Sequence, residues 1–535
     1  MNRISSTGTG RILTETGGLF SVVVRTAESQ PDMTCLTGES IALTASEVVA
    51  RAERLGSALI HLGVEPGDRI AVLGRTGVDW VVIDLAVLAI GAIVVPVYPT
   101  SSATQIEHIL SDAGPVAAFG ETVEDRDRLR SAGARRVWTF AESAAWAPAR
   151  HPELPVRTDS IQPSDVAMIV YTSGTTGSPK GCTISHGNMY ASAANTVLQA
   201  EAVFTGAGAQ ASTVIGLPLA HVFGQTILFC CLIGRSETRL APGIPALIEL
   251  LPQARPTFLA LVPYALEKIR KARPGGDDLA ALLGGRLRHV ISGGASLDES
   301  TVHYFAAADV AVLNCYGMTE AATAVTVSAP STNRIGTVGR PIPGTEVATT
   351  DDGEVLVRGA NVTGGYWGVP GPVVDDEGWF HTGDVGVLDG DGYLRITGRS
   401  KEILITSGGK NVAPTVLEDR IRLHPLVADC MVVGEGRAFV AALITIDPAA
   451  YASWSAGLPV DGVGDAGVIL RKQLQGAVDD ANRLVSRAES IRTFRVVDGD
   501  FTVENGLLTA SLKLRRAAIT EAFGADIDAM YGVRA

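Results

Sequence analysis

The sequence predicts an α/β protein in which a large N-terminal domain of helix-covered β-sheets is followed by a small α+β domain. Three observations support this class. Helix-period and strand-like segments alternate through roughly the first 400 residues. Short strands with Asp-Gly turns then follow at 349–398, after which the pattern starts afresh. With 535 residues the chain is too long for one hydrophobic core, and we expect domains at 1–400 and 401–535.

The alternation is clearest in two stretches of the N-terminal domain. The first predicts a helix at 46–62, a strand at 69–73, a helix at 78–90 and a strand at 93–97. The second predicts a strand at 213–217, a helix at 221–233 and a strand at 258–262. Strands and helices in this order imply parallel sheets covered by helices.

The later elements are predicted from turns and from proline. Turns at 351–353 and 389–392 predict hairpins of a small β-rich subdomain. After Gly398 we expect a strand at 402–406 and a helix at 414–423, with Pro414 in its first turn. The C-terminal domain should also contain strands at 429–433 and 439–446 and a long helix at 466–488.

Composition and charge exclude several classes of protein. Hydrophobic residues make up 46% of the chain and charged residues 19%, as in a well-packed enzyme. The net charge of −13, without a long basic run, argues against binding to nucleic acid or to an anionic membrane surface. The apolar stretch at 80–97 contains Asp84, Gly91 and Pro96, which favours a helix, a turn and a strand over a transmembrane segment.

The cysteines and the N-terminus predict a cytoplasmic protein. None of the six cysteines forms a C-x-x-C pair, so buried free thiols in a reducing compartment are expected. The first ten residues lack the apolar core of a secretory signal.

The segment at 171–181, YTSGTTGSPKG, has the composition of an anion-binding loop. Glycines allow backbone N–H groups to face a ligand, and the hydroxyl groups and Lys180 add further donors. An apolar run at 166–170 predicts a buried strand immediately before the loop. The spacing is not that of a Walker A motif. A flexible linker is the alternative, but it would not require the ordered Pro-Lys-Gly ending.

Two further motifs contain groups suited to a nucleotide. In the pentad Tyr316–Glu320, an aromatic face can stack on a purine, Thr319 can bond a phosphate oxygen and Glu320 can hold Mg²⁺. Asp384, which ends WFHTGD, can accept hydrogen bonds from ribose hydroxyls. Taken singly, a core tyrosine and two solvated acids explain these residues better than a nucleotide site does.

Small residues and one histidine indicate where a substrate could approach the backbone. Gly293, Gly294 and Ala295 follow a strand-like segment at 289–291 and leave space beside it. His221 opens an apolar helix. It could line a pocket, or it could be an ordinary histidine at a helix N-terminus.

Together, these motifs resemble the adenylate-forming superfamily, which contains acyl-CoA synthetases, luciferases and the adenylation domains of peptide synthetases. They occur in the superfamily's order and approximate spacing. The segments at 96–110, 217–224, 406–414 and 508–516 resemble the long-chain fatty-acyl-CoA synthetase branch. The resemblance implies two steps: ATP converts a carboxylate to acyl-adenylate, and the thiol of coenzyme A then attacks it after rotation of a mobile C-terminal lid.

The resemblance also implies roles for individual residues. Nucleotide contacts are assigned to Thr172, Ser173, Gly174, Thr175, Thr176, Gly177, Lys180, Tyr316, Gly317, Thr319, Asp384 and Arg399. Catalytic roles are assigned to Lys513, Lys180, Thr319 and Glu320, and Mg²⁺ is assigned to Glu320 with Thr172. The hinge is assigned to Lys401 and the pantetheine tunnel to Gly408 and Gly409. The acyl pocket is assigned to His221, Gly224, Gly293, Gly294 and Ala295.

The substrate and the extent of the reaction stay open at this point. Small residues around the expected pocket, including Cys230 and Cys231, fit either a linear fatty acid or a bulky polycyclic acid. Ala510 stands where the superfamily usually has proline, which leaves the backbone before Lys513 less constrained. One alternative is therefore an enzyme of a single half-reaction, working with a partner ligase or an acyl carrier protein. A non-catalytic acyl-nucleotide binder and a luciferase-like oxidase are further alternatives.

Overall fold

The computed structural model describes residues 2–5, 9–14, 16–172, 179–206, 208–273, 278–458, 466–509 and 513–532. The strands in chain order are β1 (Asn2–Ser5), β2 (Thr34–Thr37), β3 (Ala42–Thr44), β4 (Arg69–Leu73), β5 (Ile93–Val97), β6 (Ala117–Gly120), β7 (Val137–Thr139), β8 (Val166–Thr172), β9 (Lys180–Ser185), β10 (Ser212–Ile215), β11 (Glu237–Leu240), β12 (Phe258–Leu261), β13 (His289–Ser292), β14 (Ala311–Met318), β15 (Thr323–Val327), β16 (Arg340–Pro341), β17 (Thr345–Thr349), β18 (Glu354–Gly359), β19 (Gly365–Tyr366), β20 (Phe380–Leu388), β21 (Leu394–Arg399), β22 (Leu404–Ile405), β23 (Asn411–Val412), β24 (Val427–Val433), β25 (Val440–Ile446) and β26 (Ile491–Val496).

The helices in chain order are α1 (Phe20–Ser29), α2 (Ala45–His61), α3 (Val78–Ala89), α4 (Ala103–Ala113), α5 (Val123–Ser131), α6 (Phe140–Ala144), α7 (Glu153–Ser160), α8 (His186–Gln199), α9 (Glu201–Thr205), α10 (Val222–Gly234), α11 (Ile244–Ala254), α12 (Pro263–Ala272), α13 (Leu279–Leu282), α14 (Glu299–Ala306), α15 (Pro414–Arg422), α16 (Pro448–Ala456), α17 (Ala466–Asn482), α18 (Arg516–Ala522) and α19 (Gly524–Met530). Short 3-10 turns lie at Thr319–Ala321, Pro330–Thr332 and Ser400–Glu402.

Three sheets with parallel pairs build the large domain. Their strand orders are β19-β9-β8-β5-β4-β6-β7, β12-β13-β14-β15-β16 and β10-β11-β2-β3. Their apolar strands are buried on both faces because helices cover them. Every residue of α3 except the exposed Asp79 is buried, so most of this helix lies inside the domain core.

A five-stranded sheet of order β1-β17-β18-β20-β21 forms the β-rich subdomain. Its pairs are antiparallel, and the turns at 351–353 and 389–392 close its two hairpins, as predicted. The pairing of β1 with β17 adds a strand from the beginning of the chain that we did not predict.

The residues after 403 form their own hydrophobic interior. The sheet β24-β25-β26 packs with α15 and α17 around Leu417, Val432 and Leu474. A second cluster around Leu443 and Ile519 lies on the other side of that sheet. The predicted fold class is confirmed: mixed sheets and helices form a large α/β domain and a small α+β one.

Most predicted elements agree with the structure to within a few residues, and two predictions were wrong in detail. The strand expected at 402–406 is a 3-10 turn at Ser400–Glu402 followed by the two-residue β22. The long helix ends at Asn482 rather than at 488. His221 lies immediately before α10 and caps it, which agrees with the interpretation of His221 as a histidine at a helix N-terminus.

Candidate active site

The predicted anion-binding loop lies between two paired strands. The strands β8 and β9 are antiparallel, and Thr172 lies opposite Lys180 in their register. The loop residues Ser173, Gly174, Thr175, Thr176 and Gly177 lie outside the described residues. The predicted buried strand before the loop is present, and it extends two residues further than the apolar run indicated.

Tyr366 connects the base of this loop with the predicted metal ligand. Its hydroxyl donates a 2.8 Å hydrogen bond to Oε1 of Glu320. The ammonium of Lys180 lies 5.7 Å from the centre of the Tyr366 ring, within the range of a cation–π contact. Lys180 and Glu320 are distant in sequence, yet both contact Tyr366: Lys180 contacts its ring and Glu320 its hydroxyl.

The pentad Tyr316–Glu320 runs from the end of β14 into a tight turn. β14 pairs with β13 in a parallel manner and then with β15 in an antiparallel manner, with a register shift between Tyr316 and Gly317. A Cβ atom on Gly317 would lie 1.4 Å from the carbonyl oxygen of Thr323, so only glycine fits there. This close approach fixes where the strand turns toward Glu320.

The backbone after Glu320 is strained and is held in place by α10. Ala322 has a φ of 45° and Thr323 a φ of 87°, which is unusual for a β-branched residue. Thr226 of α10 contacts both residues, with its Oγ1 3.1 Å from the Ala322 oxygen and 2.9 Å from Oγ1 of Thr323. Strain of this kind persists where the surroundings enforce it, often at functional sites.

Asp384 is buried and accepts hydrogen bonds from two predicted nucleotide-binding residues. It is 4% exposed, and its Oδ2 accepts from the Tyr316 hydroxyl at 2.7 Å. Its Oδ1 accepts from Nε of Arg399 at 2.8 Å. Arg399 lies directly opposite Asp384 in the pairing of β20 with β21, so the hairpin itself sets this ion pair. Burial, followed by the Asp384 carboxylate, raises the pKa of Tyr316 and keeps its phenol protonated.

Lys513 reaches this cluster from the C-terminal domain. Burial and then the positive charge of Arg399 lower its pKa, whereas Asp384, Glu402 and Glu320 act in the opposite direction. The side chain also keeps an accessible surface. Lys513 is therefore within electrostatic range of Arg399, Asp384 and Glu320, which come from the other part of the chain.

His221 combines both roles considered for it from the sequence. Its Nδ1 accepts a 3.0 Å hydrogen bond from the Phe223 N–H, which makes it the N-cap of α10. Burial, and next the nearby Lys513 ammonium, lower the pKa of His221 to about 4. The ring is thus neutral at pH 7 and lies close to the reacting space, with Tyr98 at its edge 6.3 Å away.

The small residues of the predicted acyl pocket have packing reasons of their own. A Cβ on Gly224 would lie 2.3 Å from the oxygen of Pro218, and one on Gly293 would lie 2.4 Å from Sγ of Cys315. Gly294 has a φ of +88°, and a Cβ there would lie 3.8 Å from Cγ1 of Val262, an ordinary contact distance. Ala295 is exposed. Their role in an acyl pocket stays a prediction.

The predicted hinge and tunnel residues lie on the surface. Lys401 is exposed in the 3-10 turn between the large domain and the small one. Gly408 and Gly409 occupy the exposed turn between β22 and β23, where Gly409 has a φ of 74°. Ala510, which precedes Lys513, lies outside the described residues.

Sequence reasoning missed three residues that shape the site. Tyr366 pairs with Glu320, Thr226 holds the strained turn, and Glu402 contributes charge to the surroundings of Lys513. Of these three residues, only Tyr366 has a feature in the sequence that could have drawn attention to it: it is an aromatic residue directly after the glycine pair 364–365. Among the described residues no cluster of three or more histidine, cysteine or acidic side chains could hold a metal ion. Two pockets, of about 560 and 250 Å³, lie away from this cleft.

No helix within the described ranges is long and apolar enough to cross a membrane. All six cysteines are free, and Cys230 and Cys231 lie in the large-domain core.

The fold and this site define an enzyme of the adenylate-forming class, and comparisons with known proteins agree. Residues 23–367 match the model of the AMP-binding enzyme family, and residues 401–534 match its C-terminal domain. The chain belongs to the AMP-binding enzyme family, which confirms the resemblance seen in its motifs.

Particular relatives refine this relationship. The long-chain-fatty-acid–CoA ligase FadD15 of Mycobacterium bovis is 36% identical, with 90% of each chain covered. A feruloyl-CoA synthase of an Amycolatopsis species is 32% identical over 78% of this chain and 85% of its own length. Among solved structures, ATP-bound MatB from Rhodopseudomonas palustris superimposes with a TM-score of 0.75 at 26% identity, covering 95% of this chain and 99% of its own.

Proposed function

We propose that this chain is an AMP-forming acyl-CoA ligase whose substrate is a long-chain fatty acid. The observation that carries the proposal is the buried Asp384 carboxylate, which is hydrogen-bonded to Tyr316 and Arg399 and interacts electrostatically with Lys513 of the C-terminal part of the chain. The relative that is 36% identical over 90% of the chain bears the name of a long-chain-fatty-acid–CoA ligase. The predicted ligase activity is thereby confirmed as a class, and the single half-reaction alternative gains no support from it.

Each clustered residue suits one part of an adenylation reaction. Negative charge builds up on the α-phosphate as a carboxylate attacks it, and the Lys513 ammonium stabilises that charge. Tyr316 offers its ring to adenine while Asp384 and Arg399 hold the ribose. Lys180 would bind the β- and γ-phosphates. These roles are part of the proposal and rest on the chemistry of each group.

Glu320 suits a magnesium ion that is held mainly by phosphates. Mg²⁺ usually binds one or two carboxylates, with phosphate oxygens and water completing its six ligands. The Tyr366 hydroxyl donates a hydrogen bond to Oε1 of Glu320. This bond orients the carboxylate and leaves Oε2 available for the ion. The Thr172 hydroxyl, at the end of β8, is the second ligand that we propose.

The same arrangement suggests a separate role for each domain. We propose that residues 1–400 bind ATP and the acid, and that residues 401–535 supply Lys513. Lys401 would be the hinge, and Gly408 and Gly409 would line the pantetheine tunnel after rotation. Free cysteines fit a reducing compartment, so we place the enzyme in the cytoplasm. No carrier protein or partner ligase is required.

The identity of the carboxylic acid substrate is a separate part of the proposal. A feruloyl-CoA synthase is also a relative, so an aromatic acid is the competing substrate. The greater identity and coverage of the long-chain ligase favour a linear chain. His221, Gly294 and Ala295 would border the carboxylate end of the acid.

The test is a mass-spectrometric assay that quantifies acyl-AMP and acyl-CoA together. The protein is incubated with ATP, Mg²⁺, CoA and one acid at a time: palmitate, octanoate, ferulate and a steroid carboxylate. We expect palmitoyl-CoA as the main product. Lys513→Ala should abolish most of it, whereas Lys472→Ala, an exposed lysine on α17, should not.

Each other result has a definite meaning. Feruloyl-CoA as the main product would overturn the substrate, and acyl-AMP without acyl-CoA would overturn the complete ligase. If neither product forms from any acid, chemically made palmitoyl-AMP and CoA would show whether only the second step occurs.

A further inference from the structure

Helix α15 of the C-terminal domain lies between the large domain and the segment that carries Lys513. Two adjacent residues of this helix, Asp419 and Arg420, contact the large domain. The preceding residue, Glu418, contacts Arg516, three residues after Lys513. The helix therefore contacts both the large domain and the segment that carries Lys513. The position of that segment relative to the large domain determines where Lys513 lies.

The contacts with the large domain meet the start of α14. Nη1 of Arg420 lies 3.3 Å from Oδ1 of Asp298 and 3.2 Å from Oγ of Ser300. Asp298 is the N-cap of α14, since it accepts from the Ser300 N–H at 2.8 Å. Asp419 accepts a hydrogen bond from the Ser296 hydroxyl. Nearby, Nζ of Lys271 donates to the Val427 oxygen at 3.0 Å.

The contact with the Lys513 segment is a bidentate ion pair. Nη1 and Nη2 of Arg516 donate to the two Glu418 oxygens at 2.8 and 2.6 Å. Glu418 is 1% exposed and also accepts from the Val432 N–H at 2.7 Å, so its position is fixed by the sheet. A buried pair of this geometry holds its partners in one orientation.

We propose that α15 is a positioning element: the docking contacts Asp298–Arg420 and Ser296–Asp419, with the Glu418–Arg516 pair, place Lys513 in the adenylation cleft. The path is continuous, from the α14 N-terminus through three consecutive residues of α15 to Arg516. Packed side chains and ion pairs of this kind can transmit a position between two sites. This inference rests on the proposed function, because it explains what positions Lys513, the proposed catalytic lysine.

The geometry explains why these residues act on the reaction rather than on folding alone. Asp298, Ser296 and Lys271 belong to the large domain, whereas their partners belong to the small one. The two domains have separate hydrophobic interiors, so these polar contacts are not needed to form either core. Their loss should leave two folded domains whose relative position is less well defined.

The test uses conservative changes at the docking contacts. Asp298→Asn keeps a helix-capping side chain but removes the charge that Arg420 meets. Arg420→Met removes the partner, and Arg516→Lys keeps a charge but loses the bidentate geometry. Single-turnover formation of palmitoyl-AMP should fall about tenfold in each variant, with ATP affinity changed by less than about twofold.

Two further measurements separate positioning from general damage. In a Lys513→Ala background, Asp298→Asn should have little further effect on acyl-AMP formation, because both changes act through Lys513. Trypsin cleavage at the exposed hinge after Lys401 should be several-fold faster in Asp298→Asn and Arg420→Met. The control is Arg150→Ala, which removes an exposed partner of Glu53 on α2, away from α15, and should behave as wild type.

The outcomes are distinguishable. Wild-type adenylation rates in all three variants would overturn the proposal. So would a fall in acyl-AMP formation caused by Asp298→Asn that is as large in the Lys513→Ala background as in the wild-type background. If wild-type protein adenylates no acid, the proposed function fails; a faster hinge cleavage in the variants would still establish docking, and an unchanged one would refute it.

Discussion

The hydroxyl of Tyr316 donates a 2.7 Å hydrogen bond to Asp384, so the residues proposed for adenine and for ribose are joined before any nucleotide binds. Asp384 comes from the β-rich subdomain and Tyr316 from the end of β14. The Arg399 side chain occupies the other oxygen of the same carboxylate. This arrangement pre-orients the nucleotide pocket, which reduces the ordering that ATP binding must impose.

The first prediction concerns this pair. Tyr316→Phe keeps the aromatic ring but removes the donor to Asp384, so the carboxylate loses part of its orientation. We expect a fall in ATP affinity of about tenfold, in the range of one hydrogen bond to a charged group. Equilibrium binding of ATP by calorimetry measures it. Tyr304→Phe removes the hydroxyl of a half-buried tyrosine on α14, outside the nucleotide cluster, and should leave ATP binding unchanged.

The second prediction concerns the charge of Lys513. Its pKa is lowered by burial and by Arg399, so the ammonium loses its proton at a lower pH than an ordinary lysine. Adenylation should therefore decline as pH rises toward and through that lowered value, below the usual lysine range. Lys513→Ala should reduce acyl-AMP formation by on the order of 10²-fold or more at neutral pH.

The matched variant for the pH dependence is Lys513→Arg. An arginine stays charged at every accessible pH, so its slower reaction should lack the alkaline decline. Acyl-AMP formation between pH 7 and 10 in single-turnover experiments tests this. The same decline in both proteins would assign it to another group.

The third prediction concerns magnesium. Tyr366→Phe removes the hydrogen bond that orients Glu320 but leaves the ring beside Lys180 in place. Groups that orient metal ligands typically contribute tenfold or more to affinity, and we expect the Mg²⁺ concentration for half-maximal rate to rise by about that factor. A Mg²⁺ titration of adenylation at saturating ATP measures it. Glu320→Gln should produce a larger rise, and an unchanged titration in both variants would remove Glu320 from the metal site.

The sequence predicted the elements better than the contacts between them. β4 and β5 were located to the residue because each is a short apolar run bounded by turns. Asp384 and Arg399 could be proposed singly, but their pairing depends on the register of β20 with β21. No periodicity predicts that Tyr366 meets Glu320 or that Arg420 meets Asp298, because such contacts arise from tertiary packing of distant segments.

The fourth prediction compares two glycines. A Cβ on Gly317 would lie 1.4 Å from the Thr323 oxygen, and relief would require movement of the backbone that leads to Glu320. Gly317→Ala should therefore lower the free energy of unfolding by about 3 kcal/mol or prevent folding. Gly364→Ala has open space for the same methyl group and should change stability by less than about 0.5 kcal/mol. Chemical denaturation of the two variants gives the comparison.

The fifth prediction is a loss of stability in acid that originates at His186. This ring is fully buried at the start of α8, and its Nδ1 accepts a 3.1 Å hydrogen bond from the Leu19 N–H. Burial lowers its pKa from the usual 6.5 to about 4, although the Asp165 carboxylate opposes the shift. Between these values the unfolded chain binds a proton that the folded one does not. Stability is therefore full above pH 6.5 and declines as pH falls toward 4, by about 3 kcal/mol in total from this group.

His186→Asn isolates this contribution, because an amide oxygen can accept from Leu19 but does not titrate in this range. The difference in unfolding free energy between wild type and His186→Asn should shrink or reverse as pH falls from 6.5 to 4. A constant difference would show that His186 titrates normally in the folded protein. The neutral ring of His221 titrates in the same direction in both proteins, so its contribution cancels from the comparison.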